Sequence, residues 1–172
     1  MTLTALSHEP TGTLDPDTLR SAFGAFPSGV VAVAAEVDGR MTGLAASSFT
    51  SVSFEPALVS FSVANTSSTW PLLRTSEHLG LSVLADHHDE VCRQLAGPAE
   101  HRFDGLRTTL RDGGAVVLDD AVATFDCTIF QEVEAGDHTL VLLQLHAVEE
   151  PGSDLLPLVF HRSAFGRLAA ES

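Results

Sequence analysis

One histidine, two arginines and two runs of small or hydroxylated residues are the side chains here that could do chemistry together. The histidine is His138, which follows Gly136-Asp137 and opens an apolar run. The first run is Ala45-Ala46-Ser47-Ser48; the second spans Ser62, Ala64, Asn65, Ser67, Ser68 and Thr69 and ends where Pro71 could open a helix. Small residues let a flat ligand lie against backbone. Hydroxyl and free N–H groups supply hydrogen bonds, and a helix start supplies partial positive charge for a phosphate. Such a surface suits a flat, anionic cofactor. Arg102, in a loop, and Arg162, after the last apolar run, are candidates to meet a phosphate. Each feature also has a plainer reading: a small-residue strand under a helix, an ordinary N-cap turn, solvated arginines, a surface histidine at a hairpin.

What the chain lacks narrows the chemistry. It has no lysine, which excludes Schiff-base chemistry and a Walker-type phosphate lysine. It has no tyrosine, which excludes a Tyr–Lys dehydrogenase pair. The net charge of −14 argues against nucleic acid and against an anionic membrane surface, and makes any arginine near an anionic ligand matter more. Cys92 and Cys127 are too few and too far apart for a disulfide framework or a zinc site, and read as reduced, buried thiols. Asp86-His87-His88-Asp89-Glu90 clusters metal-ligating types, but successive helix positions diverge, so a solvated helix start is expected and no metal. No basic region with a long apolar run opens the chain, so a cytoplasmic protein is expected.

The elements that must position these residues follow from pattern. The 172 residues, 44% hydrophobic, fit one domain with a core. Residues 1–14 lack periodicity and read as a flexible tail, and 15–172 as the domain. Asp15-Pro16-Asp17 signals a helix start, with a short helix over 18–26. Strands are expected over 30–37, 40–52, 58–64, 78–84 and 156–160, with Asp38-Gly39 a two-residue hairpin turn. Short helices are expected over 68–75 and from a cap at Asp86, boxed by Asp89, to Leu95. Residues 121–132 and 138–149 form a long hairpin, with His146 a core or interface residue and Glu132 and Glu134 solvated. Trp70 is an anchor. Many short strands with few helices, and no GxGxxG, point to a mainly β fold: a β-barrel with helical covers, not a Rossmann fold.

Five segments resemble the flavin reductase-like family, the split-barrel flavin-binding proteins that serve two-component monooxygenases. They are 42–71 (TGLAASSFTSVSFEPALVSFSVANTSSTWP), Phe23-Gly24-Ala25-Phe26-Pro27-Ser28-Gly29-Val30, His101-Arg102-Phe103-Asp104-Gly105, Gly136-Asp137-His138, and Pro157-Leu158-Val159-Phe160-His161-Arg162. They fall in the family's order and cover about residues 17–168. The resemblance implies a six-stranded Greek-key split β-barrel, homodimeric, with flavin near the subunit interface. It places Ala45, Ala46, Ser47 and Ser48 along the isoalloxazine, where donors favour the reduced, anionic flavin. It places the 62–69 segment, Arg102 and Phe103 on the ribityl and phosphate side, and Phe160 and Arg162 on the closing strand. His138 falls on the nicotinamide side, to orient the nicotinamide or donate a hydrogen bond. Phe160 and Phe165 stand where many relatives carry tyrosine, Ala57 replaces a common proline, and 106–110 lacks a frequent tryptophan.

The implied function is an NAD(P)H-dependent flavin reductase that reduces FMN or FAD by hydride transfer and supplies a separate monooxygenase, by family analogy one acting on aromatic or secondary-metabolite substrates. NADH is expected over NADPH, because few basic residues are available for a 2′-phosphate. Other readings stay open: an oxidase holding FMN tightly, as in the pyridoxamine-phosphate oxidases, a non-catalytic flavin carrier, and a ligand-binding barrel without flavin.

Overall fold

A computed structural model of the chain describes residues 14–150 and 154–169. The tail expected over 1–14 lies outside the described residues except for Leu14. Helix α1 (Pro16–Gly24) starts as its sequence requires: the Asp15 carboxylate accepts from the Thr18 N–H at 2.9 Å, and Pro16 sits in the first turn. Strand β1 (Ser28–Gly29) leads into β2 (Val31–Val37) and β3 (Arg40–Ala46). Their connection, Asp38-Gly39, takes φ of 51° and 73°, the left-handed pair that a two-residue hairpin demands. Next come β4 (Thr50–Phe54), β5 (Ala57–Ala64), α2 (Trp70–Leu73), β6 (Leu79–Val83) and α3 (Asp89–Leu95). After these follow β7 (Thr108–Leu110), β8 (Val116–Leu118), the long hairpin β9 (Ala123–Ala135) and β10 (His138–Glu149), then β11 (Leu158–His161) and β12 (Ala164–Arg167).

Seven strands form one antiparallel sheet in the order β3-β2-β6-β9-β10-β5-β4, with two smaller sheets, β1-β11-β12 and β7-β8. The two edges of the large sheet are β3 and β4, which are neighbours in sequence. The chain leaves one edge at Ala46 and re-enters at the other at Thr50, so the sheet curls round and stays open along that line. The fold is mainly β, as expected, but the sheet is not closed by a continuous hydrogen-bond ladder. The expected single strand over 40–52 is two strands, broken at 47–49.

β2 is apolar except for Glu36 because both of its faces are covered. Val31, Val33 and Ala35 face a core inside the curled sheet with Phe61, Leu81, Val141 and Leu143. Val30, just before β2, and Ala32 lie in a second cluster with Leu84, Leu95, Leu118 and Leu158, beneath α3. Cys127 is buried in the first cluster, and burial pushes its thiol pKa up. Both cysteines are free.

The second expected helix shrinks to the single turn of α2. The third begins at Asp89, with His88 at its N-cap and no side-chain capping bond; Asp86 instead uses its N–H on the Leu156 carbonyl, and Asp89 pairs with Arg93. Trp70 is an anchor, 6% exposed, edge-on to Phe61 with ring centroids 5.5 Å apart. Its indole N–H donates to Glu132 at 2.8 Å, so Glu132 is a structural partner and not merely solvated. His146 is exposed in the single chain and meets Thr128 at 2.9 Å, so it is not a core residue.

Gly80 marks the tightest backbone approach. A Cβ there would lie 2.1 Å from the Val116 carbonyl oxygen and 2.6 Å from its carbon. Backbone on both sides leaves nothing flexible to yield. Gly80→Ala is therefore expected to destabilise the chain by about 3 kcal/mol or more, the upper range for overpacking, read as a lower urea midpoint.

Candidate functional site

The break between β3 and β4 opens a cavity of about 400 Å³. Ala45 and Ala46, at the end of β3, form one wall with Ser47 and Ser48. Ser62 and Ala64, at the end of β5, form another with Ser67 and Thr69. Arg102 and His138, the first residue of β10, also line it, with Leu44, Val63 and, at the end of α3, Leu95 and Ala96. Ten residues singled out in the sequence thus meet in one place. None of the lining residues is acidic, in a chain with 23 carboxylate side chains.

The hydroxyls hold the site in shape. Ser47 and Ser48 lie beyond the strand end, so the alternating faces expected of a strand do not apply to them. The Ser48 hydroxyl accepts from the Ser62 N–H at 2.9 Å and donates to the Ser62 carbonyl at 3.2 Å. It takes the place of a strand partner across the open seam. Ser67 Oγ accepts from the N–H groups of Thr69 and Trp70 at 3.3 and 3.2 Å, capping the turn from outside the helix, so its proton is free to donate. The expected helix-dipole contribution is small, because α2 spans four residues.

Arg102 ties three segments together. Its guanidinium donates to the Gly97 carbonyl at 2.9 Å, and to the Gly43 carbonyl and Thr69 Oγ1 at 2.8 Å each. It has no carboxylate partner, so its full charge remains for an anion in the cavity. Phe103 lies outside the lining. Its ring packs against Gly43, where a Cβ would come within 2.6 Å of Phe103 Cζ and 3.0 Å of the Val33 carbonyl oxygen, so a side chain there would have to displace the ring.

His138 is held by its turn. Its Nδ1 lies 2.7 Å from Asp137 Oδ1, and this hydrogen bond, with the histidine's charge, lowers the Asp137 pKa. A carboxylate only accepts, so Nδ1 carries the proton and the neutral ring presents Nε2 as an acceptor. Asn65 sets the turn: its N–H donates to the Asp137 carbonyl at 2.9 Å and its amide to the Gly136 carbonyl at 3.2 Å, while Thr139 Oγ1 donates to its Oδ1 at 2.9 Å. Asn65 therefore lies outside the lining and aims His138. Nothing in the sequence pattern marks a bond between residues so far apart in the chain.

Ser68 lies on a second cavity of about 420 Å³, which shares Thr69 and Arg102 with the first. Phe160 and Arg162 line a third, of about 680 Å³, on the other side of Ser47 and Ser48, together with Phe23 and Phe26. Arg162 has a φ of 49° in the β11–β12 turn, and its N–H donates to the Gly24 carbonyl at 2.9 Å.

The Asp86–Glu90 cluster is not a solvated helix start throughout. His88 is 3% exposed, and its Nδ1 accepts from the Ala85 N–H at 3.0 Å. Nε2 therefore carries the proton and faces Asp120 Oδ1 at 3.1 Å. His87, His88 and Asp120 bring ligand-type atoms within 4.8 Å of one another. The His88 tautomer directs an N–H into that space where a metal would need a lone pair.

Residues 23–169 match the flavin reductase like domain family, and the chain belongs to it. A flavin reductase from Pseudomonas putida is 37% identical over 158 residues, covering 91% of this chain and 92% of that protein. The reductase component of a flavin-dependent trigonelline monooxygenase from Acinetobacter baylyi is 34% identical over 148 residues, 86% of this chain but 47% of its own length. Among solved structures, the NADH:FAD oxidoreductase SgcE6 of Streptomyces globisporus, in complex with NAD and FAD fragments, superposes with a TM-score of 0.85 at 30% identity, covering 94% of this chain and 99% of that one.

Burial holds the His88 pKa below its ordinary 6.5, against the pull of Asp120. As pH falls below that value the unfolded chain takes up a proton that the folded chain refuses, so stability is full above it and declines below. The urea midpoint is expected to fall between pH 7 and pH 5. His88→Asn, which keeps an acceptor near Nδ1 but does not titrate, should flatten that slope, measured against wild type at each pH.

Proposed function

We propose that this chain is an NAD(P)H:flavin oxidoreductase that binds FMN or FAD as a substrate, with NADH as the preferred donor, and releases reduced flavin to a partner monooxygenase. The observation that carries the reading is the acid-free cavity in which strand ends, a hydroxyl turn, Arg102 and His138 converge. The flavin reductase and monooxygenase-reductase names of its relatives support it.

The donor set fits a flavin nucleotide. Ala45 and Ala46 leave room beside backbone for a flat ring, and Ser47 is free to donate at its edge. Ser67, Thr69 and the charge of Arg102 suit the phosphate. Bound flavin supplies the hydride-accepting ring, and hydride transfer from a nicotinamide needs no general base. The protein's work is alignment: His138, fixed by Asp137 and Asn65, offers Nε2 to the nicotinamide carboxamide. Ser47 and Ser48 are exposed at the rim, which suits a flavin that enters and leaves at each turnover.

The chain acts as a homodimer in this reading, in the cytoplasm, where two unpaired cysteines persist. Phe23 and Phe26, which line one cavity, are 71% and 78% exposed, an apolar surface that a second copy would cover. Among the described residues no helix is long and apolar enough to cross a membrane. Light scattering should give twice the 18.2 kDa chain mass; a monomer would remove this part of the reading.

Anaerobic stopped-flow bleaching of flavin tests the activity. His138→Ala is expected to lower kcat/KM for the nicotinamide about 10- to 100-fold, with flavin affinity within about twofold of wild type. A chain that binds no flavin, or binds it without accelerating NADH oxidation, would refute the proposal.

A further inference from the structure

Glu132 is a carboxylate in an otherwise apolar row. It pairs with Val141 on β10, and Val141 pairs with Phe61 on β5, so the three share one face of the sheet. Val141 and Phe61 are fully buried in the first core cluster. β6 pairs with β9 only as far as Cys127, so the row ends at Glu132. A carboxylate there, its side chain 22% exposed, is costly unless donors meet it. Two do. Its Oε1 accepts from the Trp70 indole N–H at 2.8 Å, and its Oε2 accepts from the Arg74 guanidinium. Trp70 and Arg74 lie four residues apart on one helical turn, and the Trp70 carbonyl accepts from the Arg74 N–H at 2.9 Å. One side chain of β9 thus holds α2 at its first residue and at its C-cap.

We propose that Glu132 is a positioning residue for the anionic end of the flavin; the inference rests on the flavin reading of the cavity. With four residues, α2 is too short to be stable alone, so its place depends on what grips it. Thr69 precedes it, and the Thr69 carbonyl accepts from the N–H groups of Leu72 and Leu73 at 3.1 Å each. A shift of α2 therefore carries Thr69 with it. Thr69 Oγ1 accepts from the Arg102 guanidinium at 2.8 Å, and both residues line the cavity. Glu132 does not line it. Its effect on a ligand passes through α2 and Thr69 to the cation that meets the phosphate. Phe61, edge-on to Trp70, still holds the indole when the carboxylate is removed, so a Glu132 variant loosens the turn without emptying the core.

FMN and riboflavin differ only by the phosphate, so the ratio of their affinities reads the grip on that group. Titrations followed by flavin fluorescence compare wild type, Glu132→Ala, Glu132→Gln, Arg102→Ala and the double variant Glu132→Ala with Arg102→Ala. Wild type is expected to bind FMN at least about tenfold tighter than riboflavin, the scale of one charge-assisted hydrogen bond. Glu132→Ala should remove about tenfold of FMN affinity and leave riboflavin within about twofold. Glu132→Gln, whose amide oxygen still accepts from one of the two donors, should fall between. In the Arg102→Ala background the Glu132 substitution should cost at most about twofold more, because it acts through that arginine. Equal losses for the two ligands, as a merely structural role would give, an unchanged ratio in both Glu132 variants, or losses that add in the double variant would overturn the proposal. If Glu132→Ala does not fold, the ratio in Glu132→Gln decides alone. A wild type that binds the two ligands equally overturns the proposal and leaves the flavin reading standing. A wild type that binds neither removes both.

Discussion

The chain passes from one edge of its main sheet to the other in three residues, and the site depends on how that passage is held. A sheet that curls without closing leaves edge amides and carbonyls without strand partners, and those shielded from water must be paired in another way. At Ser62 the strand partner is missing, and the Ser48 hydroxyl serves both backbone groups. The seam is thereby fixed at a width that backbone pairing would have eliminated. The ligand space is this gap, bounded by two strand ends and a turn.

Arg102 resolves a conflict at the same place. A guanidinium half-buried between loops needs acceptors, yet a carboxylate partner would cancel the charge an anionic ligand requires. Two carbonyls and a hydroxyl satisfy its N–H groups without neutralising it. Gly43 contributes twice, by offering one of those carbonyls and by letting Phe103 pack beneath it. A larger residue at 43 would have to displace the Phe103 ring that packs there.

Much of this was legible in the sequence wherever local chemistry decides. The Asp38-Gly39 turn and the β9–β10 hairpin follow from positive φ and alternation and stand where expected; α1 begins two residues before the expected helix because the Asp15 carboxylate caps it. The small-residue and hydroxyl runs converge with His138 because strand ends at one end of a sheet are neighbours. The break at 47–49 was not legible, since Ser-Ser-Phe sits as readily in a strand as in a crossing. The cap of α3 was misplaced because His88 faces the core, and only the tertiary fold shows that burial outweighs the local pull of Asp86 and Asp89. Asn65 and Phe103 carry polar and aromatic signals a ligand would use. The structure spends one on the turn below His138 and the other on the underside of Gly43.

Trp70 has a consequence beyond packing. The chain has no tyrosine and one tryptophan, so its near-ultraviolet emission comes from a single indole. That indole follows Thr69 in the cavity wall, pinned by Phe61 and Glu132. Its excited state therefore has one fixed location beside the place a yellow, light-absorbing ring would occupy. Occupancy becomes an intrinsic optical signal, read by energy transfer without a label and without turnover.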